Sequence, residues 1–181
     1  YSGSVEQSIN EYLRFGNSIT DIPIINRTDK KGNGMIQVTN ISFLDEYNNN
    51  VSEIFTGHSL RIKFDIEVNP NVDLTKIIVA CGFSDEMGTS AALWVSDEME
   101  HDFSHVSDSI SLVIDSLNLR PNYYLFSYQI SIGTTKPSDF ADSLANAAQL
   151  TVLNDAFYGG SQLLKENRGR GALIRAKFID K

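Results

Sequence analysis

The sequence predicts an all-β fold, a two-layer antiparallel β-sandwich entered through a short N-terminal helix. Three observations carry that prediction. Apolar residues alternate with polar ones over most of the chain, turn residues interrupt the alternation at short intervals, and no helices alternate with these runs. With 181 residues, 41% of them hydrophobic and 21% charged, the chain can bury one sandwich core and carry extra segments. It is too short for two ordinary domains and a linker.

The opening residues differ from the rest. Val5, Ile9, Tyr12, Leu13 and Phe15 recur at helical spacing among polar neighbours, and Gly16 follows as a stop signal. Residues 21–33, with Asp29-Lys30-Lys31-Gly32-Asn33, are polar and turn-rich and read as a linker. Residues 1–33 are therefore expected to form a connecting helix and linker, and 34–181 the sandwich domain.

From Gly34 the period becomes two. In Ser59–Val68, residues Leu60, Ile62, Phe64, Ile66 and Val68 alternate with Arg61, Lys63, Asp65 and Glu67, so one face meets a core and the other meets water. Pro70 ends the run. Comparable runs occupy Met35–Leu44, Lys76–Phe83, Ala91–Val95, Ser109–Leu117, Tyr123–Gly133, Ala148–Leu153 and Ala172–Phe178. Within them Ile110, Leu112 and Ile114 share a face, as do Tyr124, Phe126, Tyr128, Ile130 and Ile132. Residues Asp139–Ala147 read as a helical turn between two strands. Short strands in this number, with turns between them, indicate a sandwich of immunoglobulin-like or jelly-roll type.

Composition and motifs remove most chemistries. A net charge of -8 and a pI near 4.8 disfavour a nucleic-acid partner, because such proteins work by neutralising phosphates. The single cysteine, Cys81, lies in the apolar run Ile77–Cys81; it cannot form an internal disulfide and reads as a buried, inert thiol. No stretch approaches the roughly 18 apolar residues that span a bilayer. The sequons at Asn26, Asn40 and Asn50 are about what an Asn-, Ser- and Thr-rich chain contains by chance. Walker A and strand-linked G-x-G-x-x-G motifs are absent, and Arg168-Gly169-Arg170-Gly171 reads as a loop. Gly82-Phe83-Ser84 continues with Asp85-Glu86, which is no nucleophile elbow.

His101 and His105 have the spacing of two zinc ligands on a helix, but Asp102 stands where H-E-x-x-H has its glutamate. The segment Ser96–His105 falls between strands and reads as a solvated acidic loop. The calcium-loop pattern is missing too. With 23 acidic residues, nothing selects one carboxylate pair for glycoside hydrolysis. No catalytic residue, metal or cofactor is expected.

Binding remains. Sugars are gripped by aromatic rings beneath their C–H faces and by hydroxyls and amides around the rim. On the run Tyr123–Gly133 the outward set is Tyr123, Leu125, Ser127, Gln129 and Ser131, an uncharged, hydroxyl-rich strip. The only tryptophan, Trp94, sits on a strand beside the acidic loop. The expected glycan-binding residues are therefore Trp94, Tyr123, Ser127, Gln129 and Ser131.

Several of these features share an order with a known family. A helix with Val5, Ile9 and Tyr12 leads. A strand from Gly34 to Asp45 follows, then Phe55-Thr56-Gly57-His58-Ser59-Leu60-Arg61-Ile62-Lys63-Phe64, then a hydrophobic pattern from Ile110 to Phe126. Over residues 5–179 the chain resembles the C-terminal domain of Wzt, the nucleotide-binding subunit of ABC transporters that export O-antigen polysaccharides. Asn122 stands where the family usually has a glycine.

The resemblance implies a non-enzymatic domain that binds the modified non-reducing end of a lipid-linked O-antigen, so that finished chains are exported. It implies an upstream ATPase domain before Tyr1 and a membrane-spanning transporter subunit as partners. It places the domain in the cytoplasm, peripheral to the bacterial inner membrane. It also implies a homodimer that exchanges a C-terminal strand, for which Gly171–Phe178, behind the hinge glycines Gly169 and Gly171, is the candidate. No binding residue carries over, because pocket residues in that family vary with the sugar. The competing expectations are a carbohydrate-binding module of a secreted glycoside hydrolase, a structural or adhesin-like sandwich, and a metalloenzyme using His101 and His105.

Overall fold

A computed structural model describes residues 22–165 and 173–174, and every alternating run that falls within them becomes a strand or part of one. The strands are β1 (Ile36–Leu44), β2 (Glu53–Phe55), β3 (Leu60–Val68), β4 (Ile77–Ser84), β5 (Ser90–Val95), β6 (Ser109–Ile114), β7 (Asn122–Ile132) and β8 (Phe140–Leu153). They form a three-stranded sheet, β1-β3-β6, and a five-stranded sheet, β2-β8-β7-β4-β5. Pairing is antiparallel except between β2 and β8, which run parallel. The N-terminal helix expected over the first residues and the strand expected over Gly171–Phe178 lie outside the described residues, apart from Leu173 and Ile174.

The period-two residues decide which way each sheet faces. Leu60, Ile62, Phe64 and Ile66 of β3 are buried, and Tyr124, Phe126, Tyr128 and Ile130 of β7 face them from the other sheet. Rings meet edge to face across the gap, with centroids 5.6 Å apart for Phe43–Phe126 and 6.0 Å for Phe64–Tyr128. Phe83 of β4 closes the group, 5.2 Å from Phe126. One apolar core thus fills the space between the sheets, as the alternation requires.

Two expectations change. Asp139–Ala147 forms no helical turn: a 3-10 turn covers Pro137–Asp139, and from Phe140 the chain runs as β8. The misleading feature is an irregularity inside β8. Between Leu144 and Ala148 it carries three residues opposite Ser127 alone, a bulge with Asn146 in the left-handed region at φ 51. Asparagine tolerates that conformation, and the extra residues blur the period of two. The short strand β2 was also not visible in the sequence, since three residues carry too little pattern.

The polar segment before β1 lies against β8. Ile24 and Arg27 are buried. The Lys31 N–H donates to the Ser143 carbonyl at 2.9 Å, and the Ser143 N–H returns a bond to the Lys31 carbonyl at 2.7 Å. The Asn33 and Gly34 N–H groups donate to the Phe140 and Ala141 carbonyls. Gly32 adopts φ 136, and a methyl group there would run into the Ala141 backbone, so only glycine allows the segment to lie this close. Lys30 supplies the counter-charge for buried Asp142, with Nζ 2.7 Å from Oδ2. The same carboxylate oxygen accepts from the Val38 N–H and the Tyr128 hydroxyl. A buried carboxylate needs such company.

Candidate functional site

On the outer face of the five-stranded sheet, the middle of β4 and the facing part of β8 present unusually small residues. Val79, Cys81 and Phe83 of β4 are buried, while Ala80, Gly82 and Ser84 between them face out. Strand register lines these up with β7: Ala80 lies beside Gln129, and Gly82 beside Ser127. On the far side of β7, Ser143 of β8 is the partner of Gln129. Together with Ala145 and with Ser90, Ala92 and Leu93 from β5, they line an outer-face groove of about 330 Å³. That is at the small end of ligand-pocket sizes. Although the chain carries a net charge of -8, no charged side chain lines the groove.

Glycine at position 82 has a specific reason. An added Cβ would collide with the carbonyl of Ala92, so the glycine lets β5 approach and keeps the groove floor low. A register shift between Phe83 and Ser84 then bends the end of β4 relative to β5.

The polar groups of the groove are held in place. The Ser127 Oγ accepts a 3.0 Å bond from the N–H of Asn146 in the β8 bulge, which leaves the hydroxyl proton for a ligand. The Gln129 Nε2 donates to the Ser131 Oγ at 2.9 Å, which leaves the Gln129 carbonyl oxygen as an acceptor. The groove can thus offer a hydroxyl donor and an amide acceptor on a surface of small side chains. It contains no acid, base or nucleophile pair for bond cleavage. Burial pushes the nearby Cys81 thiol up to about 12, so it stays protonated at neutral pH.

The five residues expected from the sequence separate. Ser127 and Gln129 line the groove. Tyr123 is 47% exposed and lies on the same face of β7, four residues from Ser127 and so roughly 13 Å along the strand, past the groove lining.

Ser131 keeps the outward side of β7, paired with Ile78 as Gln129 is paired with Ala80, but it is fully buried and lies outside the groove lining. Trp94 faces the other way, because its β4 partner is the inward-facing Cys81. Its ring meets Phe83 edge-on at 6.1 Å. It borders a separate, mainly apolar cleft of about 260 Å³ between the sheets, with Val79, Met99, His101 and Phe103.

The two histidines are not on a helix; they lie in the loop between β5 and β6, where His101 packs against the Phe103 ring. Among the described residues, no group of three or more His, Cys, Asp or Glu side chains is arranged to hold a metal ion. Nor is any helix among them long and apolar enough to cross a membrane.

Sequence reasoning missed Ala80, Gly82, Ser84, Ser143 and Ala145 as groove residues. The signal for the first three was present, since small residues occupy every outward position of that stretch of β4. The last two were hidden by reading their segment as a helical turn.

The model of the Wzt C-terminal domain family matches residues 27–163. Among solved structures, the crystal structure of the C-terminal domain of Wzt aligns with a TM-score of 0.60 at 13% identity, covering 86% of this chain and 99% of that one. At that identity the likeness concerns the fold. The PmoD soluble domain from Methylocystis sp. ATCC 49242 (Rockwell) aligns at a TM-score of 0.37 and 12% identity over 67% of this chain and 93% of its own, too distant to support any argument. No curated protein sequence matches the chain.

Proposed function

The chain belongs to the Wzt C-terminal domain family, which serves carbohydrate binding in O-antigen ABC transport, and from that premise we propose that it binds the modified non-reducing end of a lipid-linked O-antigen in the outer-face groove. Binding selects finished chains for export. The observation that carries this reading is the uncharged groove of small side chains, with the Ser127 hydroxyl and the Gln129 amide at its floor. An uncharged sugar presents the shallow C–H faces of its chair and a rim of hydroxyls, so it fits a surface without bulk or charge. Tyr123 lies farther along the same face, where its ring serves as a stacking platform for sugars behind the chain end. Ser131 acts through Gln129 by holding its amide in orientation. Trp94, on the inner face, serves packing.

The remaining family features complete the proposal. An upstream ATPase domain and a membrane-spanning transporter subunit are the partners, and the domain works in the cytoplasm at the inner membrane. The sandwich is of immunoglobulin-like or jelly-roll type, led by the N-terminal helix, and it forms a homodimer by exchange of the Gly171–Phe178 strand.

Titration calorimetry with the O-polysaccharide of the source bacterium tests the groove. Intact polysaccharide should bind and polysaccharide stripped of its terminal modification should not. Ser127→Leu, which fills the groove, should abolish binding, whereas Trp94→Phe should leave it in place. Loss of binding in the Trp94 variant alone would move the site to the inner cleft. Equal binding of capped and uncapped chains would replace end recognition by recognition of the repeat.

A further inference from the structure

Ser127 and Ala145 owe their positions to a residue far away in sequence. The β8 bulge at Ala145–Asn146–Ala147 forms the wall of the groove beside Ser127, and its Asn146 N–H orients the Ser127 hydroxyl. From behind, the bulge is gripped by Arg27. Nη2 of Arg27 donates to the Ala145 carbonyl at 3.3 Å, and Nη1 donates to the Asn146 carbonyl at 3.2 Å. The guanidinium is itself fixed by a fork to Asp29, with Nε–Oδ1 at 2.7 Å and Nη2–Oδ2 at 2.6 Å. Its side chain is 3% exposed, so the donors are shielded from competing water. Arg27 belongs to the segment that straps residues 140–143 of β8 through backbone hydrogen bonds.

A three-residue bulge with its middle residue, Asn146, in the left-handed region is a conformationally soft element, and one planar cation that spans two consecutive carbonyls is well suited to hold it. We propose that Arg27 is a positioning residue for the groove: it holds the Ala145–Asn146 bulge so that the Ser127 hydroxyl and the groove wall present a fixed surface to the glycan. The inference rests on the outer-face groove being the binding site. Its corollary follows from linkage: a glycan that favours the held bulge also tightens the strap, so occupancy of the groove is felt at residues 27–34.

Arg27→Ala and Arg27→Lys separate this from a purely adhesive role for the strap. Lysine keeps the charge but cannot span two carbonyls from one plane. The first readout is amide hydrogen exchange without ligand. In Arg27→Ala, exchange at Ser127 and at residues 143–148 should accelerate about tenfold or more while β1, β3 and β6 keep wild-type protection, and Arg27→Lys should fall between.

The second readout is affinity for the O-polysaccharide released by mild acid from the lipopolysaccharide of the source bacterium. It should weaken about tenfold in Arg27→Ala and recover partly in Arg27→Lys. The third is exchange at Lys31, Asn33 and Gly34, which should slow when the wild-type chain is saturated with that polysaccharide. Uniform acceleration across both sheets, or unchanged exchange in the bulge, overturns the proposal. So does unchanged affinity in a folded Arg27→Ala. If the wild-type chain fails to bind the polysaccharide, the glycan reading of the groove falls, and the ligand-free exchange pattern still decides whether Arg27 holds the wall.

Discussion

The two faces of the five-stranded sheet are built from the same strands and behave as opposites. On β7, Phe126 is fully buried and meets three aromatic rings of the core, while its neighbour Ser127 looks out onto the groove. On β4, buried Phe83 and Cys81 flank Gly82, whose lack of a side chain keeps the floor of that groove open. Inner positions are large and interlocked; the outer ones at the groove are mostly small and leave space. Under the proposed function stability resides in one set of alternate residues and recognition in the other, and a substitution should move one property with little effect on the other.

The sharpest test exchanges neighbours. Phe126→Ala should cost about 3–5 kcal/mol in urea unfolding, because it opens a cavity among rings that cannot collapse into it. Ser127→Ala, one residue away, should change stability by less than about 1 kcal/mol, since it removes one partly exposed hydrogen bond. Equal effects would mean that the two faces are not separable.

Gly82→Val probes the place where the faces meet, since it fills the groove and pushes on the Ala92 carbonyl. A loss of about 1–3 kcal/mol together with loss of glycan binding is expected, read by thermal melting and calorimetry. Wild-type stability in that variant would show that β5 shifts without resistance.

Cys81 reports on the seal of the inner face. With its thiol pushed up to about 12 by burial, a disulfide reagent at pH 8 should label it only as fast as the domain opens, and at the ordinary thiol rate in denaturant. Rapid labelling of the folded protein would show that the inter-sheet cleft admits solvent.

The smallest effect concerns the strap. The hydrogen bond from Arg27, helped by its charge and opposed by partial desolvation, holds the Asp29 carboxyl below the usual carboxylate range. A depressed folded-state value contributes stability above the unfolded value, and that contribution disappears as pH falls through the folded one. Urea midpoints of the wild type and Asp29→Asn should therefore differ by a constant amount from pH 7 to about 5. The gap should begin to close below about pH 4 and vanish only as pH falls past the depressed folded value. A gap that persists in acid would show that the Arg27–Asp29 fork is not its source.

How much of this was legible beforehand depended on how many residues carry each signal. Strand β3 was readable with its faces assigned, because nine residues repeat one alternation and Leu60, Ile62, Phe64 and Ile66 are buried as that alternation demands. Ser127 and Gln129 were readable as outward for the same reason. Ser131 keeps that outward side as well, but its full burial was not readable, because burial depends on what packs over the strand end and not on alternation. Trp94, expected at the glycan site, turns inward instead, and only its pairing with Cys81 decides this.

The sequence by itself determined that this is an all-β chain and which side of most strands is buried. Those properties follow from local period and side-chain type, both of which are written in neighbouring residues. Only the tertiary structure decided where the groove is. Ala80 and Gly82, Ser127 and Gln129, Ser143 and Ala145 come from three strands separated by long stretches of chain, and their alignment depends on inter-strand register. The apparent linker acquires its meaning in the same way, through Arg27 and the β8 bulge, 118 and 119 residues apart. Long-range pairing leaves no local periodicity, so no reading along the chain could have supplied it.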